Sequence, residues 1–335
     1  MFEARGQVPP HPLFVISLDF EQGWGMEAGR ARGDRAASII GARSALPRIL
    51  ALAERHRIAC TWATVGLLFL ATREEMIAAA PAIKPSYSDP ELSNYARLPG
   101  IGRDEKADPL HFGQSLIRLI QDHPRQEIAC HTFSHYYALE DGEDPSAFAA
   151  DLDAARAAAG GLRINLRSLV FPRNQVRPSY LALCHAAGYR SFRGTQRSRL
   201  HASQPRSAER RWARLLRAAD NYLPLTGSPP INAARPVGDM LDVPASRFLR
   251  PSTGYSPLDL MQLARIRSDM SAAARNRGIF HLWWHPQNFG ENIDLNLATL
   301  EAIFEHYHVL EDRFGMVSAT MDEVATIVDE PVCPA

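Results

Sequence analysis

Four polar clusters stand where apolar runs end in this chain of 335 residues. The first is Asp19 with Glu21, directly after "LFVISL"; strand alternation would turn both acids to one side. Acids just past a strand often only cap a turn, so the pair gains meaning from what else is present. The second is "EIACHTFSH", with His131 and His135. Neutral imidazoles suit Zn²⁺ and related ions, and a four-residue spacing on a helical turn brings two rings within about 6 Å of each other. With twelve histidines in the chain such a pair can arise by chance, and a second one does, His281 and His285 in "IFHLWWH". As a strand, that segment would hold its two rings about 13 Å apart, too far for one ion. His131 and His135 are therefore the better ligands.

The third cluster, "SLVFPRNQV", offers Arg173, which could hold a carboxylate by two parallel hydrogen bonds and lower its pKa, or simply stand on a surface loop. The fourth, "LWWHPQNF", delivers His285 at a strand end, where it could give or take a proton if it faced a metal. Other metal signatures fail. "HTFSH" lacks the Glu of H-E-x-x-H, and His306 and His308 lie at i, i+2 within a helical pattern, where side chains diverge.

Short apolar runs alternate with helical patterns, the signature of parallel βαβ units. Strands are predicted near "PLFVISL", "RIACTWATV", "EIAC", "SLVF", "YRSF", "MLDVP", "IFHLWW" and "MVSA". Between them lie helical segments such as "LPRILALAERHR", "DPSAFAADLDAARAAAG" and "DLNLATLEAIFEHYHVL". Seven or eight units point to one (β/α) barrel domain spanning 1–335 rather than an open sheet. Segments 82–112 and 194–238 break the rhythm and read as loops elaborated on one rim. The second carries a basic run, "RSAERRWARLLRAAD", which is either a solvated helix face or a docking surface for an anionic part of a substrate, such as a nucleotide or a phospholipid head group.

Formal charges balance at +0 and the pI is near 7.2, so nothing favours nucleic acid or an anionic membrane as partner. No stretch is read as a transmembrane helix, and the first residues lack a signal-peptide pattern, so a cytoplasmic location is expected. Cys60, Cys130, Cys184 and Cys333 show no C-x-x-C spacing and read as reduced thiols.

In this order the clusters resemble the motifs of the polysaccharide deacetylase family, the NodB-homology carbohydrate esterases, from about residue 13 to residue 327. "HTFSH" matches H-[ST]-x-x-H, and Leu282-Trp283-Trp284-His285 matches L-x-x-H. The acids are spaced D-x-E rather than adjacent, and "FPRNQV" stands where R-x-P-Y is common, so Arg173 would act from a shifted position. The resemblance implies a distorted (β/α)7-8 barrel. It further implies a divalent ion, most plausibly Zn²⁺, on Glu21, His131 and His135, with Asp19 as base oriented by Arg173 and His285 as acid. Asp242 or Asp220 would tune His285, and Trp24 and Trp284, with Trp283, would offer an aromatic wall to a sugar. The reaction implied is removal of an N-acyl group, usually N-acetyl, from a sugar; the missing signal-peptide pattern adds the expectation that this sugar is a sugar nucleotide, a lipid-linked sugar or another precursor of surface polysaccharide. The alternatives are a formamido-sugar deformylase and a carbohydrate-binding pseudoenzyme.

Overall fold

Strand β1 (Leu13–Phe20) is the axis from which the architecture is built. Its odd positions, Leu13 and Val15, belong to a small apolar cluster with Ala63, Val170, Leu241, Val243 and Ile279, whereas Phe14, Ile16, Leu18 and Phe20 join the large cluster beneath the helices. Period-2 alternation thus sorts the strand into a face turned into the barrel and a face turned to the helical layer. The computed structural model describes residues 9–26, 34–208, 211–223 and 233–329.

After β1 the chain runs through α1 (Asp34–Arg55), β2 (Cys60–Thr64), α2 (Arg73–Ala79), α3 (Gln114–Gln121), β3 (Gln126–Cys130), α4 (Pro145–Gly161), β4 (Ser168–Leu169), α5 (Leu181–Ala186) and β5 (Ser191–Phe192). It continues with α6 (Arg211–Asp220), β6 (Arg235–Val237), β7 (Met240–Asp242), β8 (Arg247–Phe248), α7 (Ser256–Arg275), β9 (Ile279–Trp284), α8 (Ile293–Phe314), β10 (Val317–Ala319) and α9 (Met321–Asp329). The sheet order is β6-β7-β5-β4-β3-β2-β1-β9-β8, with β10 beside the first half of β1, and every pair is parallel except β6 with β7. Parallel order follows from the helical crossovers.

One chain segment curls the sheet into a barrel. The Val243 and Ala245 amides donate to the carbonyls of Phe192 and Gly194 on the β5 side, both at 2.9 Å; the Ser246 and Leu249 amides then donate to His281 and Trp283 of β9, both at 2.8 Å. The gap between β5 and β9 is therefore bridged by a single irregular segment, which gives the distorted barrel that the family resemblance implies. Helix α9 stops one end, where Met321 and Val324 pack into the inner apolar cluster.

All eight predicted strands are present. The short β6 and β8 are not among those eight. Residues Ala36–Arg55 are long and apolar enough by composition to cross a membrane. Their apolar residues Leu46, Ile49, Leu50 and Ala53 are instead buried in the large core cluster, which accounts for the composition. Cys60, Cys130 and Cys184 are free and buried, while Cys333 and the parts of loop 194–238 at 209–210 and 224–232 lie outside the described residues.

Candidate functional site

The open end of the barrel holds a cavity of about 500 Å³ whose floor carries Asp19, Glu21, His135 and His285. Below it the barrel changes from apolar to polar in one layer. Ser17 Oγ lies 2.8 Å from His281 Nε2 and accepts from Arg193 Nη1 at 2.9 Å, and His281 Nδ1 is 3.2 Å from the Val243 carbonyl. A neutral imidazole satisfies this pattern by donating from Nδ1 and accepting at Nε2. Burial, with Arg193 nearby, pushes the His281 pKa down to about 3.

Asp19 projects from the last turn of β1 into a fork of hydrogen bonds. Arg193 Nη1 donates to its Oδ1 at 2.6 Å and Nη2 to its Oδ2 at 2.8 Å. Arg193 is 0% exposed, is steadied by Asn174 Oδ1 at 2.9 Å from Nη2, and lies over the Trp283 ring at 4.3 Å. Burial alone would raise the Asp19 pKa, but Arg193 together with His131 and His285 holds the carboxyl below its ordinary value. The arginine expected to orient this acid was Arg173; the structure gives that position to Arg193, just past β5, and sets Arg173 on the cavity wall.

Glu21 Oε2 lies 2.9 Å from His135 Nε2 and 3.5 Å from His131 Nε2, and Gln287 donates to its Oε1 at 3.1 Å. Donor atoms of Glu21, His131 and His135 all fall within 4.8 Å of one another, with all three residues buried. Burial by itself would raise the Glu21 pKa, yet the surrounding imidazoles bring it well below the usual carboxylate range. Burial lowers the His135 pKa, which favours the neutral, ligating form.

Two observations show that this trio fits a cation. His131 Nδ1 is 2.8 Å from the Val170 carbonyl, which fixes the tautomer and leaves Nε2 buried without a hydrogen-bond partner. A Cβ at Gly25 would lie 2.0 Å from the Glu21 carboxyl carbon, so the acid occupies space that only glycine leaves open. Three protein ligands with an open position are the pattern of a catalytic rather than a closed structural zinc site.

The loop bearing the histidines is not a helical turn. Thr132 and His135 take φ of 60° and 59°, a left-handed conformation that is costly for a β-branched residue such as Thr132. Asp151 of α4 holds it in place. This buried carboxylate accepts from the Phe133 amide at 2.5 Å, the Ser134 amide at 3.2 Å and the Tyr95 hydroxyl at 2.7 Å. Loop 82–112 adds a second brace: Asn94 Nδ2 donates to the Trp24 carbonyl at 2.8 Å and to the Ser134 carbonyl at 2.9 Å, tying the two ligand-bearing loops together.

His285 directly follows β9, with its side chain 26% exposed and its Nε2 3.4 Å from Glu21 Oε1 and 3.8 Å from Asp19 Oδ2. Neither aspartate proposed to tune it is its neighbour. Asp220 is buried against Arg247, with Nη1 at 2.7 Å, and Asp242 faces Arg197 at 3.8 Å. The aromatic wall also differs from expectation. Trp24 and Trp284 are both 0% exposed, with Trp24 donating to the His111 carbonyl and Trp284 stacked on Phe289; Trp283, with Phe248, is the ring that lines the cavity. Alternation along β9 accounts for this, since His281, Trp283 and His285 share the inward face.

No family profile and no curated protein matches the chain. Solved structures do. The chain is similar to a Mycobacterium smegmatis protein classed as a polysaccharide deacetylase, at TM-score 0.59 and 15% identity over 97% of this chain and 95% of that one. A Pseudomonas aeruginosa protein of the same class gives TM-score 0.56 and 13% identity over 95% and 94%. The Puue allantoinase gives TM-score 0.55 and 13% identity over 98% and 97%. At such identities the likeness concerns architecture: the chain has the fold of the polysaccharide deacetylases.

Proposed function

We propose that this protein is a metal-dependent hydrolase that removes an N-acyl group, N-acetyl in the first instance, from an amino sugar. The observation that carries the reading is the adjacency, on one cavity floor, of the buried trio Glu21, His131 and His135, the Arg193-held Asp19 and the partly exposed His285. Glu21, His131 and His135 would hold a divalent ion, Zn²⁺ by the chemistry of the donors. When bound, such an ion supplies a Lewis acid for the amide carbonyl and lowers the pKa of a water molecule.

This chain's own residues supply the rest. Asp19 is kept ionised by Arg193 and can accept a proton from the attacking water, and the two bonds of the guanidinium fix the carboxylate in one orientation. His285, partly exposed above Asp19 and Glu21, is placed to act as the acid. As imidazolium it can protonate the departing amine, without which the C–N bond is slow to break. Trp283 presents a ring edge or face to the sugar, while Asn174, Thr195 and Ser203 line the cavity with groups that pair with hydroxyls.

The test is release of acetate from N-acetyl amino sugars, with formate release from formamido sugars measured beside it. Glu21→Gln should lose bound metal and turnover together. Asp19→Asn should keep the metal and lower kcat by about 10²- to 10⁴-fold. Unchanged hydrolysis by metal-stripped protein would sink the reading, and formate as the sole product would reassign the acyl group.

A further inference from the structure

The cavity above the catalytic floor is unevenly charged. Arg173, Arg206, Arg214, Arg217 and Arg250 line it, Arg206 also reaching Asp89 at 3.6 Å, against the carboxylates of Asp19 and Glu21, which Arg193 and the imidazoles already match. A neutral glycan needs no such wall.

Helix α6 sharpens the point. Its Arg214, Arg217 and Ala218 line the cavity, while Trp212, Leu215 and Leu216 on its other side are 54%, 71% and 41% exposed. A surface helix ordinarily buries its apolar stripe and gives its charges to solvent. α6 turns Trp212, Leu215 and Leu216 to solvent and sets its arginines along the open cavity, Arg217 half-buried in the wall and Arg214 exposed at the rim. Among the described residues the guanidinium groups of Arg214 and Arg250 have no hydrogen-bond or ion-pair partner. Arg250 is nevertheless well placed: Gln262, 2% exposed, accepts from its amide at 2.8 Å and donates to its carbonyl at 3.2 Å.

We propose that the amino sugar of the preceding reading carries a phosphate group, as a monoester or within a diphosphate, and that Arg214 and Arg250 bind it in this cavity. The inference rests on that reading for the sugar alone; the anion subsite stands on the arginines. Guanidinium groups match phosphate oxygens by paired, charge-assisted hydrogen bonds, and several of them around one cavity suit a group of more than one negative charge. The phosphate would belong either to a nucleotide-linked or to a lipid-linked sugar.

Titration calorimetry on the metal-loaded protein tests it, with N-acetylglucosamine, N-acetylglucosamine 1-phosphate and inorganic phosphate as probes. The sugar phosphate should bind at least about tenfold more tightly than the neutral sugar. Arg214→Ala and Arg250→Ala should each lower affinity for both phosphate probes by about tenfold, and Arg250→Lys should restore part of it. Affinity for phosphate should also fall with salt. Equal affinities for the charged and neutral sugars, or folded variants that bind phosphate as wild type does, would overturn the subsite. Tight phosphate binding through both arginines without any acyl release would leave the subsite standing and refute the hydrolase reading. Comparing uridine diphosphate N-acetylglucosamine with a short-chain prenyl diphosphate N-acetylglucosamine then assigns the source, by whichever is the better substrate.

Discussion

The two long loops on the rim look alike as sequence and do opposite things. Loop 82–112 turns inward. Asn94 ties Trp24 to Ser134, Arg97 Nη2 donates to the Gly23 carbonyl at 3.1 Å and its Nη1 to the Met26 carbonyl at 3.0 Å, and the Gly23 amide donates to the Leu110 carbonyl at 2.8 Å. It satisfies main-chain groups that the metal-ligand loops would otherwise bury unpaired. The described parts of loop 194–238 form the cavity wall instead and leave Trp212, Leu215 and Leu223 exposed. Composition marks both as loops. What separates them is whether the neighbouring backbone needs partners, which is a tertiary property.

The inward side should therefore be the fragile one, and its strongest link is Asp151. Asp151→Ala would strand two buried amides and the hydroxyls of Ser134 and Tyr95. An expected loss of about 3 to 4 kcal/mol in urea unfolding follows from leaving several buried donors without an acceptor. Metal stoichiometry should fall with it, because Asp151 holds the Phe133 and Ser134 amides between the left-handed Thr132 and His135. A fully metallated variant with wild-type stability would erase the distinction between the two loops.

Much of the floor of the site was legible because its residues are local in sequence. Asp19 with Glu21, His131 with His135, and His285 each sit at the end of a run whose alternation or length marks a strand. Arg193 was not legible in the same way, since its bond to Asp19 spans 174 positions and β5 is only two residues long. A signal did exist: in "RSFRG" alternation puts Ser191 and Arg193 on the face opposite Phe192, as it puts Trp283 inward and Trp284 outward. Asp151 left no trace of its role, because an acid on the inner face of a helix resembles any other until the loop above it is in place. The short β6 and β8 escaped for a related reason, as they depend on partners across the barrel rather than on their own pattern.

Asp242 is where the outward region does bury a charge, and it predicts a pH effect. Burial raises its pKa from 3.8 to about 6, an effect that Arg197, 3.8 Å away, offsets only in part. Between those values the folded protein holds a proton that the unfolded chain has released. The associated stability is thus fully present below about pH 4 and lost as pH rises through about 6. Asp242→Asn, which stays neutral, should be more stable than wild type by about 3 kcal/mol at pH 7 and equal to it at pH 4. Thermal unfolding across that range reads the difference, and a parallel displacement at both pH values would refute the assignment.

The smallest effect separates the loops most directly, because it uses one residue type in both. Arg97→Ala would leave the Gly23 and Met26 carbonyls without this donor and should cost about 1.5 kcal/mol. Arg214→Ala removes an exposed side chain with no partner among the described residues and should change stability by no more than about 0.5 kcal/mol. A reversed order would remove the distinction between the two loops. A destabilised Arg214→Ala would mean that α6 is held against the barrel by its arginine, in which case the arginine wall is a structural device and its phosphate affinity incidental. An Arg97→Ala protein as stable as wild type would mean that water replaces the guanidinium, leaving Asn94 and Asp151 as the braces that position the ligand loops.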